Sequence, residues 1–340
     1  MKIYNAAVVG CGRAGFLYDL DPKRKEISTH TGAYINSPYT KLKAVVDTNP
    51  ERLEKVKNHL AVNKLYTDAS IMFDHEKIDI ISICTEPQSH QKLVEQSIQS
   101  GVRAIFCEKP IDVSLKAAKK IVNLCQEANI LLAVNHFRRW DQFHIDVCDW
   151  VKKGGIGDIQ HCMFIYNNGI LNTGSHIFDL LRMFFGEIKS LQSHHAVYDF
   201  GQDPTITGMV EFQSGITTNL IGCNANYYRI FEMDILGTKG RIKIHNGYDM
   251  ELLQPEPSLN NSEFQILSHK PPLFFNGRKG FYLKAIENIV NTIENKANIY
   301  SSGEDAFKAL EAVVASVVSL RNQKKINLPL TERYYNLNML

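Results

Sequence analysis

The sequence predicts an α/β chain in two parts: a parallel sheet wound with helices, then an α+β part built on a large open, mainly antiparallel sheet. Three observations predict this. Short β-branched runs alternate with stretches of helical period through the first third of the chain. A glycine-rich turn follows the first of those runs, and after Trp140 the texture changes to polar-alternating segments broken by Gly and Asn. A length of 340 residues suits two domains. The division is expected at 1–130 and 131–340.

In the first part, residues 3–9, 42–46, 78–84, 104–107 and 130–134 read as strands, mostly apolar on both faces as buried parallel strands are. Residues 50–60, 89–100 and 114–128 read as helices. In the last of these Ser114 stands at the N-cap, and Ala117, Ala118, Ile121, Val122 and Cys125 fall on one face. In the second part, 205–212, 216–223 and 231–236 read as strands, with Gly-Thr-Lys-Gly at 237–240 as a hairpin turn. The Pro- and Asn-rich stretch 253–272 reads as a mobile surface loop. Helices at 281–293 and 304–320 close the pattern, the second behind a Ser302-x-x-Asp305 capping box.

Composition narrows the function classes. Lys and Arg total 38 against 36 Asp and Glu, so no basic field exists to hold a phosphate backbone, and nucleic acid is not the expected partner. The seven cysteines are scattered without a C-x-x-C pair, which encodes neither a disulfide framework nor a zinc knuckle and fits a reducing cytoplasm. His194-His195 lacks companion ligands at helical or hairpin spacing, so no metal is expected. The apolar start is broken by Asn5 and reads as a strand rather than a leader. The charge-free window 159–178 carries His161, Asn167, Asn168, Asn172 and His176, so no membrane segment is expected.

Gly10-Cys11-Gly12-Arg13-Ala14-Gly15 follows the first strand and is expected to open a helix, the context that gives G-x-G-x-x-G its meaning. The first glycine permits a tight turn and the second lets the backbone approach a pyrophosphate. The third lets helix and strand pack closely, and the helix start offers N–H groups to the anion. A Rossmann-type dinucleotide site follows, with Cys11 as a small apolar filler. Asp47 ends the second strand, where a carboxylate accepts from ribose hydroxyls and repels a 2′-phosphate, favouring NAD over NADP. It lies 37 residues after Gly10 where about 20 is usual, so an insertion is expected within 18–31. Its Lys23-Arg24-Lys25 reads as a solvated charge run or, alternatively, as a grip on a 2′-phosphate.

With Glu108-Lys109-Pro110 directly after the fourth strand, the chain resembles the Gfo/Idh/MocA oxidoreductases, the family of glucose–fructose oxidoreductase and inositol dehydrogenase, over essentially its whole length. The resemblance also rests on Thr85-Glu86-Pro87-Gln88-Ser89-His90, Asn135-x-x-Arg138-Arg139, His176-x-x-Asp179 and Gly303-Glu304-Asp305-Ala306. It implies an NAD(P)-dependent dehydrogenase acting on a secondary alcohol of a sugar, cyclitol or sugar derivative, nucleotide sugars included. It also implies a homodimer or homotetramer through the C-terminal sheet. The implied cofactor residues are Gly10, Gly12, Arg13, Ala14, Gly15, Asp47, Thr85, Pro87, His90, Glu108 and Lys109. One position departs from the pattern: sugar-alcohol members usually carry Asp four residues before the histidine, and here Asn172 stands there. An amide cannot act as a general base.

Oxidising an alcohol needs its C–H against the nicotinamide and a group to take the hydroxyl proton. Lys109, at the carboxyl end of a parallel strand and ahead of Pro110, is expected to orient and polarise the substrate oxygen. His176 is the expected base or acid because imidazole titrates near neutrality, and the two roles can be exchanged. Asp179, one helical turn on, would orient His176 or hold a hydroxyl. Asn172, Arg138 and Tyr166 complete the expected substrate contacts, Arg138 or Arg139 suiting an anionic group. Two alternatives use the same fold: a non-net-redox enzyme in which transient oxidation assists glycoside cleavage or epimerisation, and a non-enzymatic nicotinamide-binding regulator.

Overall fold

The computed structural model describes residues 2–197, 203–274, 277 and 279–331. The chain forms two compact units, 1–140 with 280–307, and 141–279 with 308–340. The expected division at residue 130 falls just before a strand that pairs within the first unit.

The first unit runs β1 (Tyr4–Val9), α1 (His30–Asn36), β2 (Thr40–Val46), α2 (Pro50–His59), β3 (Leu65–Tyr66), α3 (Ala69–His75), β4 (Ile80–Ile83), α4 (His90–Gln99), β5 (Ala104–Cys107), α5 (Leu115–Glu127) and β6 (Leu131–Val134). The six strands form a parallel sheet in the order β3-β2-β1-β4-β5-β6. The order reverses between β1 and β4, which is where an open α/β sheet leaves a crevice at its carboxyl edge. Strands β4 and β5 are buried along their whole length, as their unbroken apolar runs require. Local signals set the helices: Asn49 Oδ1 caps α2 through Glu51 N–H at 2.8 Å, Pro50 opens it, and Leu53 and Val56 face inward. Both β3 and α3 escape the sequence reading because two and seven residues carry too little periodicity.

The glycine turn does not open α1 directly, which corrects the expectation. Residues 12–16 form one helical turn, the chain leaves through a 3₁₀ turn at Leu17–Leu20, and α1 begins only at His30. The hydrogen-bond ladder nevertheless continues across the excursion. Gly12 O accepts from Phe16 and Leu17, and Arg13 O from Tyr18. Ala14 O then accepts from His30 at 3.0 Å and Gly15 O from Thr31 at 3.1 Å. The insertion is thus spliced inside the first turn of a helix, and His30 takes the place the next helical residue would hold. Asp19 closes the excursion by accepting from Ser28 N–H at 2.7 Å and from the Thr29 hydroxyl. Within it Arg24 stacks on Tyr18, 3.7 Å from the ring centre.

The second unit contains α6 (Gln142–Lys152), β7 (Ile159–Tyr166), a π-type turn (Gly169–Gly174), α7 (Ser175–Phe185), β8 (Ile188–Val197), β9 (Thr205–Phe212), β10 (Thr217–Gly222), β11 (Phe231–Gly237), β12 (Gly240–His245), β13 (Asp249–Pro257) and β14 (Gln265–Lys270). Later in the chain come α8 (Phe281–Ile293), which belongs to the first unit, then α9 (Gly303–Asn322) and β15 (Ile326–Asn327). The nine strands order as β14-β13-β12-β11-β7-β10-β9-β8-β15. Only β7 and β10 pair in parallel; the other neighbours are antiparallel.

Residues 253–272, expected as a mobile loop, are mostly the β13–β14 hairpin, paired from Leu252 opposite Lys270 to Pro257 opposite Gln265. The prolines misled because β13 outruns β12, whose pairing stops at Leu253. Beyond that point a residue without an N–H forfeits no ladder bond on the β12 side. The capping box of α9 forms as its sequence predicts, with Ser302 Oγ accepting from Asp305 N–H at 3.1 Å and Asp305 Oδ2 accepting from Ser302 N–H at 3.1 Å. Among the described residues no helix is long and apolar enough to cross a membrane.

Candidate active site

The three glycines of the turn have different reasons to be glycine. Gly10 has φ +96°, and a Cβ there would lie 2.6 Å from the Cys84 carbonyl oxygen. At Gly15 a Cβ would lie 1.9 Å from the Gly10 carbonyl oxygen. The fold itself demands both. At Gly12 a Cβ would meet nothing within 4 Å among the described residues, so no described neighbour explains that glycine. The space over its α-carbon, beside the leading N–H groups of a helical turn, is where a phosphate can approach the backbone. The residues present therefore fit a dinucleotide.

Asp47 is more committed than its sequence position suggests. Its side chain is 4% exposed; Oδ2 accepts from Cys11 N–H at 2.6 Å with Arg52 Nη1 at 3.5 Å, and Oδ1 accepts from Asn49 N–H at 2.8 Å. The carboxylate first fixes the glycine turn, and its remaining lone pairs are what a ribose could use. The neighbouring Cys11 thiol is pushed up to about 12 by burial and then by the Asp47 charge, which keeps it an unreactive filler. Arg13 is exposed and Ala14 half-buried on the same turn.

The loop after β4 is held by Thr85 Oγ1 to Ser89 Oγ at 2.6 Å and Ser89 Oγ to Glu86 O at 2.8 Å, with Pro87 opening a short 3₁₀ turn. His90 is fully buried between the carbonyls of Thr85 and Ile111, each 3.0 Å from a ring nitrogen. Burial lowers its pKa. Its place is that of a brace for this loop, not of a group facing a ligand.

At the carboxyl end of β5, Glu108 is the hub of a buried network. Its Oε1 accepts from Asn135 Nδ2 at 2.7 Å and from His30 Nε2 at 3.0 Å, while Oε2 accepts from Lys109 N–H at 3.2 Å. His30 is fully buried against the rings of Phe106 and Tyr282, and its Nδ1 meets Ser82 Oγ at 2.8 Å, itself 2.8 Å from Tyr34 Oη. Burial drives Glu108 up, but the His30 bond and charge, the Asn135 bond and the Lys109 charge outweigh it and hold the carboxyl below its usual range. Lys109 is half-buried and joined to Pro110 by a cis peptide bond. His30, Ser82 and Tyr282 were not singled out by the sequence. The overlong spacing from Gly10 to Asp47 was the one signal, since removing the excursion brings His30 next to the turn.

Arg138 is buried on a 3₁₀ turn at Phe137–Arg139, its guanidinium 4.5 Å from the Phe137 ring centre. Arg139 is spent on structure, with Nη2 3.2 Å from Asp305 Oδ1 and Nη1 donating to Tyr300 O at 3.2 Å.

In the second unit, β7 ends at Tyr166 and the chain turns through Asn168, left-handed at φ 72°, into the π-type turn. Asp203 holds that turn by accepting from Leu171 N–H and Asn172 N–H, each at 2.9 Å. It is a site-building residue that lies 31 positions from Asn172 and that sequence reading missed. Asn172 is exposed, His176 is half-buried on the first turn of α7, and Asp179 is buried one turn on. Tyr166 does not line a pocket: it is fully buried, and its hydroxyl donates to Ile206 O at 2.8 Å and accepts from Ile206 N–H at 2.9 Å, tying β7 to β9. Its place at the end of a strand leading toward His176 suggested a substrate contact, but the side chain is buried in the core. Among the described residues no group of three or more His, Cys, Asp or Glu could hold a metal.

Comparison with known proteins agrees with this geometry. Residues 4–136 match the oxidoreductase family with an NAD-binding Rossmann fold, and residues 168–328 match the C-terminal alpha/beta domain of the same family. The D-apiose dehydrogenase of Rhizobium rhizogenes is 25% identical, over 84% of this chain and 89% of the relative. The scyllo-inositol 2-dehydrogenase (NAD(+)) of Bacillus subtilis is 23% identical, over 96% of this chain and 97% of the relative. The WlbA dehydrogenase of Bordetella pertussis, solved in complex with NADH and UDP-GlcNAcA, shares the fold at a TM-score of 0.76 and 20% identity, covering 97% of this chain and all of that one. The glycine turn, the Glu-Lys-Pro corner and both domain matches make this chain a member of the Gfo/Idh/MocA oxidoreductase family with an NAD-binding Rossmann domain.

Proposed function

We propose that the chain is an NAD(P)-dependent dehydrogenase that oxidises a secondary alcohol of a sugar, cyclitol or sugar derivative. The observation that carries this reading is Lys109 at the carboxyl end of β5, beside an ionised Glu108, in the same sheet whose glycine turn keeps Gly12 open. The turn 10–15 and Asp47 hold the dinucleotide, with Thr85 and Pro87 along its path and His90 bracing that loop. NAD is preferred because the Asp47 carboxylate opposes a 2′-phosphate. When bound, the nicotinamide supplies the hydride chemistry.

Lys109 binds the substrate oxygen, and its cationic head favours the alkoxide as the proton leaves. His176 takes that proton, since Asn172 cannot. Asn172 and Asp179 hold neighbouring hydroxyls, and Arg138 suits an anionic substituent. Relatives named for D-apiose and inositol, and one bound to a nucleotide sugar, support the substrate class. The exposed Met209 and half-buried Met163 and Ile165 on one face of the second sheet support self-association through that face. The scattered cysteines suit a reducing cytoplasm.

The test is NADH formation from NAD with a panel of aldoses, cyclitols, sugar acids and nucleotide sugars. Stoichiometric NADH from one class supports the dehydrogenase. Product without net NADH supports redox-assisted cleavage or epimerisation, and tight NAD binding with no turnover of any member supports a regulator.

A further inference from the structure

We propose that His30 is a positioning residue which, through Glu108, holds a buried negative charge at the nicotinamide end of the crevice and biases the protein toward the oxidised, cationic cofactor over the reduced, neutral one. This rests on the dinucleotide reading above. A dinucleotide lying across the switch between β1 and β4 has its adenosine half toward β2 and Asp47. Its other half lies toward β4, β5 and β6, whose carboxyl ends carry Thr85, Glu108 and Asn135.

The network behind Glu108 is closed from solvent, with His30, Ser82 and Tyr34 all fully buried. His30 bridges the carboxylate to the strand beside it: Nε2 lies 3.0 Å from Glu108 Oε1 and Nδ1 lies 2.8 Å from Ser82 Oγ. Ser82 Oγ in turn lies 2.8 Å from the Tyr34 hydroxyl, whose pKa burial pushes up. The chain ends there, because Tyr34 and Ser82 are fully buried.

A second observation points to a ligand at this corner. Asn135 is 4% exposed and its amide nitrogen is committed to Glu108 Oε1 at 2.7 Å and Tyr282 Oη at 3.2 Å. That fixes which end is oxygen, and Asn135 Oδ1 is buried with no hydrogen-bond partner among the described residues. An acceptor left over beside a buried anion suits a planar group that presents an N–H donor and a delocalised positive charge together. An oxidised nicotinamide with its carboxamide has both.

The two cofactor forms differ mainly in the charge of the nicotinamide ring, so the ratio of their dissociation constants separates a charge effect from a general loosening of the fold. The experiment measures both constants by titration calorimetry, without substrate, in the parent chain and three variants. Glu108→Gln keeps volume and removes charge, and is expected to weaken NAD⁺ relative to NADH by about tenfold. His30→Leu removes the donor and is expected to shift the ratio in the same direction. His30→Gln, whose amide can still donate, is expected to stay near the parent. An unchanged ratio in Glu108→Gln, with both forms still bound, overturns the proposal, as does an unchanged ratio in folded His30→Leu. Failure of the parent chain to bind either form instead overturns the dinucleotide reading itself.

Discussion

Replacing Gly12 with alanine separates the demands of the cofactor from those of the fold. A Cβ at Gly12 meets nothing within 4 Å among the described residues, and its φ is outside the left-handed range, so the folded chain accepts it. Gly→Ala at a compatible site stabilises by about 0.4–1 kcal/mol through the unfolded state. The same methyl occupies the space a pyrophosphate needs, and losing one charge-assisted backbone contact costs about 1.5–3 kcal/mol, at least tenfold in affinity. Gly10→Ala is the contrast: a φ of +96° and a Cβ 2.6 Å from Cys84 O together cost about 3 kcal/mol or more. Thermal denaturation and NADH fluorescence titration of both variants make the assay. Gly12→Ala is expected to melt at or above the parent while binding at least tenfold more weakly, and Gly10→Ala to melt well below it. Parental affinity in Gly12→Ala, or equal destabilisation of the two, refutes this expectation.

Two further outcomes follow from single residues. Tyr166→Phe strands the N–H and C=O of Ile206 in the core and is expected to cost about 2–3 kcal/mol in chemical denaturation while leaving NADH affinity unchanged; a large affinity loss without destabilisation would return Tyr166 to a binding role. Glu211 is held down to about 2 by hydrogen bonds from Lys189, Lys325 and Ser190. A folded-state pKa below the unfolded value stabilises above roughly pH 4.3 and loses that contribution as pH falls toward 2. The melting difference between parent and Glu211→Gln is therefore expected at neutral pH and should shrink across that acid window; a difference that grows there contradicts the assignment.

What the sequence discloses and what it hides have physical causes. Strands such as Ala104–Cys107 and Thr205–Phe212 and the helix Phe281–Ile293 are legible to the residue because burial imposes periodicity on every position. The need for glycine at Gly10 and Gly15 is legible because the turn is local. The place of Lys109 is legible because Glu-Lys-Pro abuts a strand end. His30 is not, because its position is defined by the carbonyls of Ala14 and Gly15 and not by its distance along the chain. Ser82 hides inside an apolar strand, and Asp203 reaches the π-type turn from a remote segment. The β13–β14 hairpin hid behind prolines that matter only when both edges of a strand are paired.

Under the proposed function, Lys109 serves the chemical step rather than the binding of the dinucleotide. The direct measurement is single-turnover NADH formation by Lys109→Ala with the best substrate of the panel, set beside its NAD dissociation constant. The rate is expected to fall by about a hundredfold or more with cofactor affinity within a few-fold of the parent. A parental rate, or a loss of rate matched by an equal loss of NAD affinity, would contradict this role.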